Sequence, residues 1–327
     1  MCIRTLAFIL IFLLAEQLRS QTCCSGGIPL SNNLGLVNEG KGNLLIGLNY
    51  DFNNLNTLNA GKDKLDDDSR KRITHSALLN FGYSISDRLS VETLFTWVNQ
   101  RRAINQFGNT DLQQTSGIGD AVFLLKYDIP KVIGDKSNLS IGGGAKVPLG
   151  SYNEVDGSGI TYIADLQPGS GAWDLILYAA ISKNYDFRPT MTFSSRIIGR
   201  LTGKNKDYLE GASTYEYGDE FQIYLGVSDQ FLVFNAITNP GISFKYRKAK
   251  KDIIDINALD NTGGEWLFIN PSVGIQLSPT IRFQVKAEIP MIGNVDGTQL
   301  TPTYRVTSGF LFNLTSKRNV INPNIEN

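Results

Sequence analysis

The chain has 327 residues, with 31 Lys+Arg against 31 Asp+Glu and one His. Zero formal charge gives no basic face for nucleic acid, and 42% hydrophobic residues exclude wholesale disorder. The 32 Gly, 13 Tyr and 17 Phe, with only three Met, describe an all-β chain rather than a helical one.

Residues 1–20 read as an export signal. Arg4 precedes an apolar core, Leu6 to Ala15, that is too short to cross a bilayer as a helix, which needs about 20 residues. Cleavage is expected near Ser20–Gln21. Lipidation at Cys23 is the alternative, with the bulky Thr22 before it as the argument against. The adjacent Cys23 and Cys24 form neither a disulfide framework nor a zinc pair. An N-terminal segment, 21–42, lacks alternation and carries no charge before Glu39. Its Ile28, Leu30, Leu34 and Leu36 would gain by tucking into an interior, so it is expected to act as a small lumen plug, with a disordered tail as the alternative.

From Leu44 onward the dominant signal is period-two alternation. Leu44, Ile46, Leu48, Tyr50 and Phe52 oppose Gly47, Asn49 and Asp51. Ala77, Leu79, Phe81, Tyr83 and Ile85 oppose Asn80, Gly82 and Ser84. Leu89, Val91, Phe95 and Trp97 oppose Ser90, Glu92 and Thr96, and Phe123, Leu125, Tyr127 and Ile129 oppose Lys126 and Asp128. Further segments lie near 138–148, 171–184, 188–200, 216–228, 230–247, 265–278, 281–289 and 303–314. Asn239-Pro240-Gly241 interrupts the 230–247 segment and implies a bulge or two shorter strands.

The links alternate as well. Short ones (Ser86-Asp87-Arg88, Tyr185-Asp186-Phe187, Ser228-Asp229-Gln230, Pro279-Thr280, and the longer 130–137) follow every even strand. Long polar ones, near 53–72, 99–116, 151–170, 201–215, 248–264 and 290–302, follow every odd strand. Loop lengths sorted by parity, with apolar residues on one face, predict an all-β, closed antiparallel transmembrane β-barrel of about twelve strands over 43–314, with a C-terminal tail at 315–327. Tyr127, Trp173, Trp266, Tyr304 and Phe312 are expected in its aromatic girdles.

The opposite parity supplies candidates for the lumen lining: Glu92, Asp120, Lys126, Lys146, Asp174, Arg196, Arg200, Glu220, Lys245, Arg247, Arg282, Lys286, Glu288 and Arg305. The set is two-signed, with a cationic excess toward the C-terminal strands. Such charges must be paired or wet, so either a hydrated channel or an internal ion-pair lattice follows. No catalytic residue, cofactor site or metal site is assigned. His75 lacks a GxSxG-type nucleophile, Asp66-Asp67-Asp68 lacks EF-hand spacing, and the Gly117–Asp120 run opens a strand rather than a helix.

Three motifs occur in order: TSGIGDAVFLLKYDIP (115–130), GGGAKVPLGSY (142–152) and LQPGSGAWDLILYAA (166–180). In them the chain resembles the MetA-type outer-membrane barrel family named for the meta-pathway of phenol degradation, whose members are regarded as transporter-like. The resemblance implies a barrel related to the hydrophobic-compound channels of the fatty-acid-transporter type. It departs from that pattern in the residues trailing beyond Leu314 and in an N-terminal segment too short for a full hatch. The expected function is passage of small hydrophobic or aromatic molecules across the outer membrane by passive diffusion. The expected partners are outer-membrane lipid, a small-molecule permeant and the barrel-assembly machinery. A structural or adhesive surface barrel is the alternative, and an outer-membrane lipase a lesser one.

Overall fold

The structure, a computed structural model, describes residues 34–106 and 108–315. The export signal, Cys23, Cys24, most of the tail and the first part of the 21–42 segment lie outside the described residues. Twelve antiparallel strands form the barrel. They are β1 Asn43–Ala60, β2 Arg70–Ser84, β3 Leu89–Gln106, β4 Ala121–Pro130, β5 Ser137–Val147, β6 Asp174–Tyr185, β7 Arg188–Leu201, β8 Glu220–Ser228, β9 Ala236–Ala249, β10 Gly264–Ser278, β11 Ile281–Val295 and β12 Thr298–Thr315. Each pairs with its chain neighbours, and β1 closes on β12 from Asn43↔Thr315 to Ala60↔Thr298. Closure removes the free edges that a sheet in lipid cannot tolerate.

The alternation sorts the side chains inside out. Leu48, Tyr50, Leu125, Tyr127, Leu177 and Leu225 are exposed on the outer surface, whereas Asp51, Lys126, Asp128 and Glu220 are buried. Polar residues make up much of the interior, and the apolar exterior is the face a bilayer would cover. Trp173, Tyr127 and Tyr304 are exposed on that exterior, as a girdle requires. Trp266 is not in the girdle. It is 1% exposed, because Leu267 and Ile269 take the outward parity of β10 and leave Trp266 and Phe268 facing in.

The predicted links at 53–72 and 99–116 are largely sheet: β1 runs to Ala60 and β2 starts at Arg70, while β3 runs to Gln106 and its chain returns as Asn109–Ile118, paired from Gln106↔Asn109 to Trp97↔Ile118. Two further links differ. The 290–302 link is not a polar loop: β11 runs to Val295, β12 restarts at Thr298, and a tight turn at Asp296-Gly297 joins them, with Gly297 at φ +68°. At 18 residues each, β1 and β12 are far longer than the 9–11 needed to span a bilayer, so this edge stands above the membrane as folded sheet. The second difference lies between β8 and β9, where Phe231–Val233 pairs with Ala236–Thr238 around a left-handed Phe234-Asn235 turn. β9 then passes through Pro240 without a break. The β8–β9 ladder ends at Ser228↔Gly241, with Asp229 N donating to the Pro240 carbonyl. The proline nitrogen faces that same side, just past the ladder's end, so the missing N–H costs little.

Glycine permits the close approach of β4 and β5. A Cβ at Gly144 would collide with the Phe123 carbonyl. At the long-loop rim, the backbones of Gly150 and Gly169 touch, and a Cβ on Gly150 would fall 2.7 Å from the Gly169 Cα.

The two faces predict opposite mutational costs. Leu125→Arg, on the outer face midway along β4, should destabilise the barrel in lipid by about 2–4 kcal/mol. Gln284→Glu, on the inward parity of β11, should change stability by no more than about 0.5 kcal/mol. Urea unfolding in lipid vesicles, followed by heat-modifiability on gels, measures both. Equal costs would contradict the assignment of faces.

Candidate functional site

The inward face converges on three features, the first at the long-loop rim. There, the loop 148–173 exposes its tip at 157–160 but turns residues 164–170 into the barrel mouth, where they are buried. A short 3-10 turn, Ala164–Leu166, is fully buried. The Leu166 carbonyl accepts from the Thr115 hydroxyl, and the Gln167 carbonyl accepts from Gln100 Nε2 at 3.2 Å. Gln167 Nε2 in turn donates to the Glu154 and Tyr162 carbonyls at 3.1 and 3.0 Å, which shapes the loop from within. Arg72 lies 3.8 Å from Asp165, both buried.

Beneath this loop sits an ion triad. Lys146 Nζ lies 3.1 Å from Asp120 and 2.9 Å from Asp174. Ser170 donates to the same Asp120 carboxylate from its backbone N at 3.0 Å and from its hydroxyl at 2.6 Å. One charged residue of each sequence motif therefore meets the others here: Asp120 just before β4, Lys146 on β5 and Asp174 on β6. Paired and hydrogen-bonded, the charges become tolerable in a dry interior.

The second feature is an apolar belt halfway down. Leu78, Leu94, Val122, Leu124, Ile176, Tyr178, Ile198 and Tyr224 pack together from β2, β3, β4, β6, β7 and β8, and Leu34 of the N-terminal segment inserts among them. Leu34 is 3% exposed, a burial that contributes about 1.5–3 kcal/mol. Polar contacts hold the backbone beside it. The Glu92 carboxylate accepts from Gly35 N at 3.0 and 3.1 Å, from Leu36 N at 3.0 Å and from Lys126 Nζ at 2.7 Å. Lys126 also donates to the Leu36 carbonyl, and Arg196 Nη1 donates to the Leu34 carbonyl at 2.6 Å. From there the segment runs along the short-turn rim, where Lys41 N meets Asp87 and Gly42 N meets the Ser84 carbonyl.

The third feature is the opposite wall. Glu220 accepts from Arg247 at 2.8 Å and Arg200 at 3.4 Å, and Lys245 pairs with Glu288 at 2.9 Å. Arg305 Nε bridges both Asp51 oxygens at 3.0 and 2.9 Å, with Thr307 donating to the same carboxylate at 2.6 Å. Arg247 lies over the Trp266 ring, Lys245 over Phe268 and Arg196 over Tyr224. On β11, Arg282 donates to Gln276 at 3.2 Å, while Lys286 is half-buried. A cavity of about 350 Å³ opens at the short-turn end between Glu39, Asn239, Gln276, Arg282 and Asn313.

Outside the barrel, the loops build a second, four-stranded sheet from Lys204–Tyr208, Ser213–Glu216, Ile253–Ile254 and Asn257–Ala258. Tyr208, Tyr215 and Tyr217 cluster beneath it. The Tyr217 hydroxyl donates to the Ala164 carbonyl at 2.7 Å, which ties this sheet to the inward loop. Asp252 accepts from the Tyr215 hydroxyl at 2.6 Å and from Gly218 N at 2.7 Å. Burial nevertheless raises its carboxyl above the ordinary carboxylate range, outweighing these hydrogen bonds.

All fourteen sequence candidates face inward, but they do not form one site. Asp120, Lys146 and Asp174 dock the inward loop. Glu92, Lys126 and Arg196 hold the N-terminal segment. Arg200, Glu220, Lys245, Arg247, Glu288 and Arg305 brace the far wall, and Arg282 and Lys286 stand partly accessible. Sequence reasoning missed Asp51, Gln100, Thr115, Asp165, Gln167 and Ser170, as well as the inward apolar belt. The belt's signal was present in breaks of alternation such as Leu124-Leu125 and Leu175-Ile176-Leu177. His75 lies on the exterior, with Nδ1 2.6 Å from the Tyr50 hydroxyl and its ring edge-on to Phe52, so its partner is a phenol rather than a serine. Among the described residues, no group of three His, Cys, Asp or Glu is placed to hold a metal ion.

Fold and lining together define an outer-membrane β-barrel with a partly filled lumen. The chain belongs to the family described as "Putative MetA-pathway of phenol degradation", whose model matches residues 68–290. It is similar in fold to an outer membrane channel from Pseudomonas putida F1. That likeness has 16% identity and a TM-score of 0.67, covering 88% of this chain and 100% of the other. The beta domain of the Bordetella autotransporter BrkA is similar at 10% identity and a TM-score of 0.45, over 82% of this chain and 99% of that one. No curated protein matches the chain significantly.

Lys146→Met should destabilise the barrel by about 3–5 kcal/mol, since it leaves two buried carboxylates facing each other. Lys136→Ala, which breaks an exposed pair with Asp186, should leave the unfolding midpoint unchanged. Comparing the two urea transitions checks both. The raised Asp252 carboxyl gives the outer sheet a pH response of defined sign. A carboxyl raised in the folded state adds stability that is fully present at low pH and lost as pH rises through the raised value. Amide exchange over 204–217 should therefore be better protected, after correction for intrinsic rates, as pH falls from neutrality toward the ordinary carboxylate range. Asp252→Asn should flatten that trend.

Proposed function

We propose that this barrel is a passive outer-membrane conduit for small hydrophobic or aromatic molecules, with its N-terminal segment acting as a plug. The observation that carries the reading is Leu34 seated in the apolar belt, with its neighbours' amides bound to Glu92. A purely structural barrel gains nothing from directing a buried carboxylate at the backbone of a segment outside its wall. A plug needs such contacts, because they fix a closed state that can be left without unfolding the barrel. The belt itself offers an apolar surface to a permeant once Leu34 withdraws. Family membership and the likeness in fold to a channel support the same reading. Residues 1–20 would direct export, the assembly machinery would insert the barrel, and outer-membrane lipid would cover its exterior.

A second reading is a surface barrel whose outer sheet is the working part. The tyrosine cluster and its tie to the inward loop favour it, since ordered loops are more than a channel mouth requires.

Removing residues 23–36 from the mature protein separates the two. The plug predicts a higher single-channel conductance and faster liposome swelling with small aromatic solutes, while the barrel stays heat-modifiable. Unchanged conductance in a folded barrel would remove the plug. No solute flux from either form would overturn the conduit and leave the surface reading.

A further inference from the structure

The charges of the lumen differ in accessibility according to sign. The inward carboxylates on and beside the barrel strands (Asp51, Glu92, Asp120, Asp128, Asp174, Glu220 and Glu288) are all buried. Each has partners: Asp51 has Arg305 and Thr307, Glu92 has Lys126 and the N-terminal amides, Asp128 accepts from Asn138 Nδ2 at 3.0 Å, and the others are in the pairs described above. The inward charges that keep partial access are cations: Arg196 on β7, Arg282 and Lys286 on β11, and Arg305 on β12. Arg282, Lys286 and Arg305 fall on one side of the lumen, where the inward lining beside them is small or polar: Gly241, Ser243, Gly274 and Gln284 are all half-buried. Arg196 stands on the belt side, over Tyr224 and against the Leu34 carbonyl. The other side is filled by the apolar belt and by Leu34. The partly accessible charges of this wall are therefore positive, and the exposed carboxylate that lines the short-turn cavity with Arg282 is Glu39 of the N-terminal segment.

A passage confined by low-dielectric walls concentrates the field of its lining, so the sign of the reachable charge selects the ion that enters. Guanidinium groups add a preference for carboxylates, which they bind through paired N–H donors. Aromatic rings stand close by, with Tyr224 under Arg196 and Phe268 under Lys245. Resting on the conduit reading above, we infer that this wall makes the lumen anion-selective, and that its permeants include small organic anions, aromatic carboxylates among them. A neutral aromatic molecule would use the apolar belt alone, whereas a carboxylate would be drawn along the Arg282–Lys286 wall.

Reversal potentials of the full mature chain in planar bilayers under asymmetric KCl test this, followed by replacement of chloride with benzoate. The expected result is a chloride-to-potassium permeability ratio above one and a measurable benzoate current. The double variant Arg282→Glu/Lys286→Glu should bring the ratio below one. Arg282→Gln and Lys286→Gln, milder changes, should each lower it part of the way. Heat-modifiability on gels reports that each barrel has folded. A ratio at or below one in the unaltered protein would overturn the inference while the current itself upheld the conduit. A ratio unaffected by any folded variant would also overturn it. Absence of both current and solute flux would instead remove the conduit reading on which it rests.

Discussion

Everything in this structure depends on one constraint: a sheet that faces lipid must close on itself and turn its polar side chains inward. An interior so formed is narrow and holds more charge than a soluble protein would bury. Burying an unpaired charge costs several kcal/mol, so the lining cannot be an arbitrary set of polar residues. It has to be organised into pairs and hydrogen-bonded triads. The Asp120–Lys146–Asp174 cluster, the Glu220–Arg247–Arg200 cluster and the Asp51–Arg305 pair are that organisation. Their spacing around the barrel follows from strand register, since each cluster joins positions that the ladders place side by side. Lys146 pairs across with Asp174, and Lys245 sits one strand from Glu288 through β10.

Once charges are committed to pairs, what remains exposed becomes informative. The inward loop and the N-terminal segment are held by the same device, a buried carboxylate that receives backbone amides as well as a lysine. Asp120 takes Ser170 N and Lys146; Glu92 takes Gly35 N, Leu36 N and Lys126. In both places the ion pair is completed by a segment that is not part of the barrel wall. Withdrawal of the segment would leave the carboxylate with fewer donors, so each segment is stabilised by the charge it covers. The two sites differ in what accompanies the charge. Around Asp120 the docking loop is extended by Gln167 and tied to the outer sheet through Tyr217, a broad attachment that would move only with its neighbours. Around Glu92 the attachment, among the described residues, runs over Leu34 to Leu36 and is anchored by one buried leucine.

The barrel was legible in the sequence because lipid imposes a strict two-sided pattern, and period two is easily read in stretches such as Ile281 to Ile289. Loop-length parity supplied independent support. The reading failed where the physical cause of the pattern changes. Above the membrane, β11 and β12 continue as sheet without needing apolar partners outside, so the alternation fades and 290–302 looks like a loop. Trp266 looked interfacial by residue type, whereas its parity, set by Leu267 and Ile269, placed it inside against Arg247. The apolar belt was hidden for the opposite reason. Inward apolar residues such as Leu124 and Ile176 turn alternation into a continuous run, and such a run does not say which side is lumen. The lumen candidates were recovered by parity, yet parity gives only a direction. Which charges meet depends on the stagger of neighbouring strands, and a sequence without partners does not reveal it.

The uneven filling of the lumen is the consequence that bears most on function. Strands β2 to β8 turn Leu, Ile, Val and Tyr inward and pack them against Leu34, which makes that half of the interior resemble a soluble core. Strands β9 to β12 turn Gly241, Ser243, Gly274, Gln284 and basic residues inward toward the short-turn end, and their inward apolar packing is the smaller cluster of Trp266, Phe268 and Val295 at the long-loop end. A structural barrel is most stable when both halves are filled, because dry packed interiors lose no dispersion contacts. A barrel meant to pass solute has a reason to stop short of that. Here the less filled half carries Arg282 beside a cavity at the short-turn end, with Lys286 further along the same strand, and the filled half carries Leu34. One wall thus offers charged and polar groups, the other an apolar surface covered by Leu34. A solute with an aromatic ring and a carboxylate would match both walls at once. The lumen therefore presents two chemically distinct surfaces, one polar and basic, the other apolar.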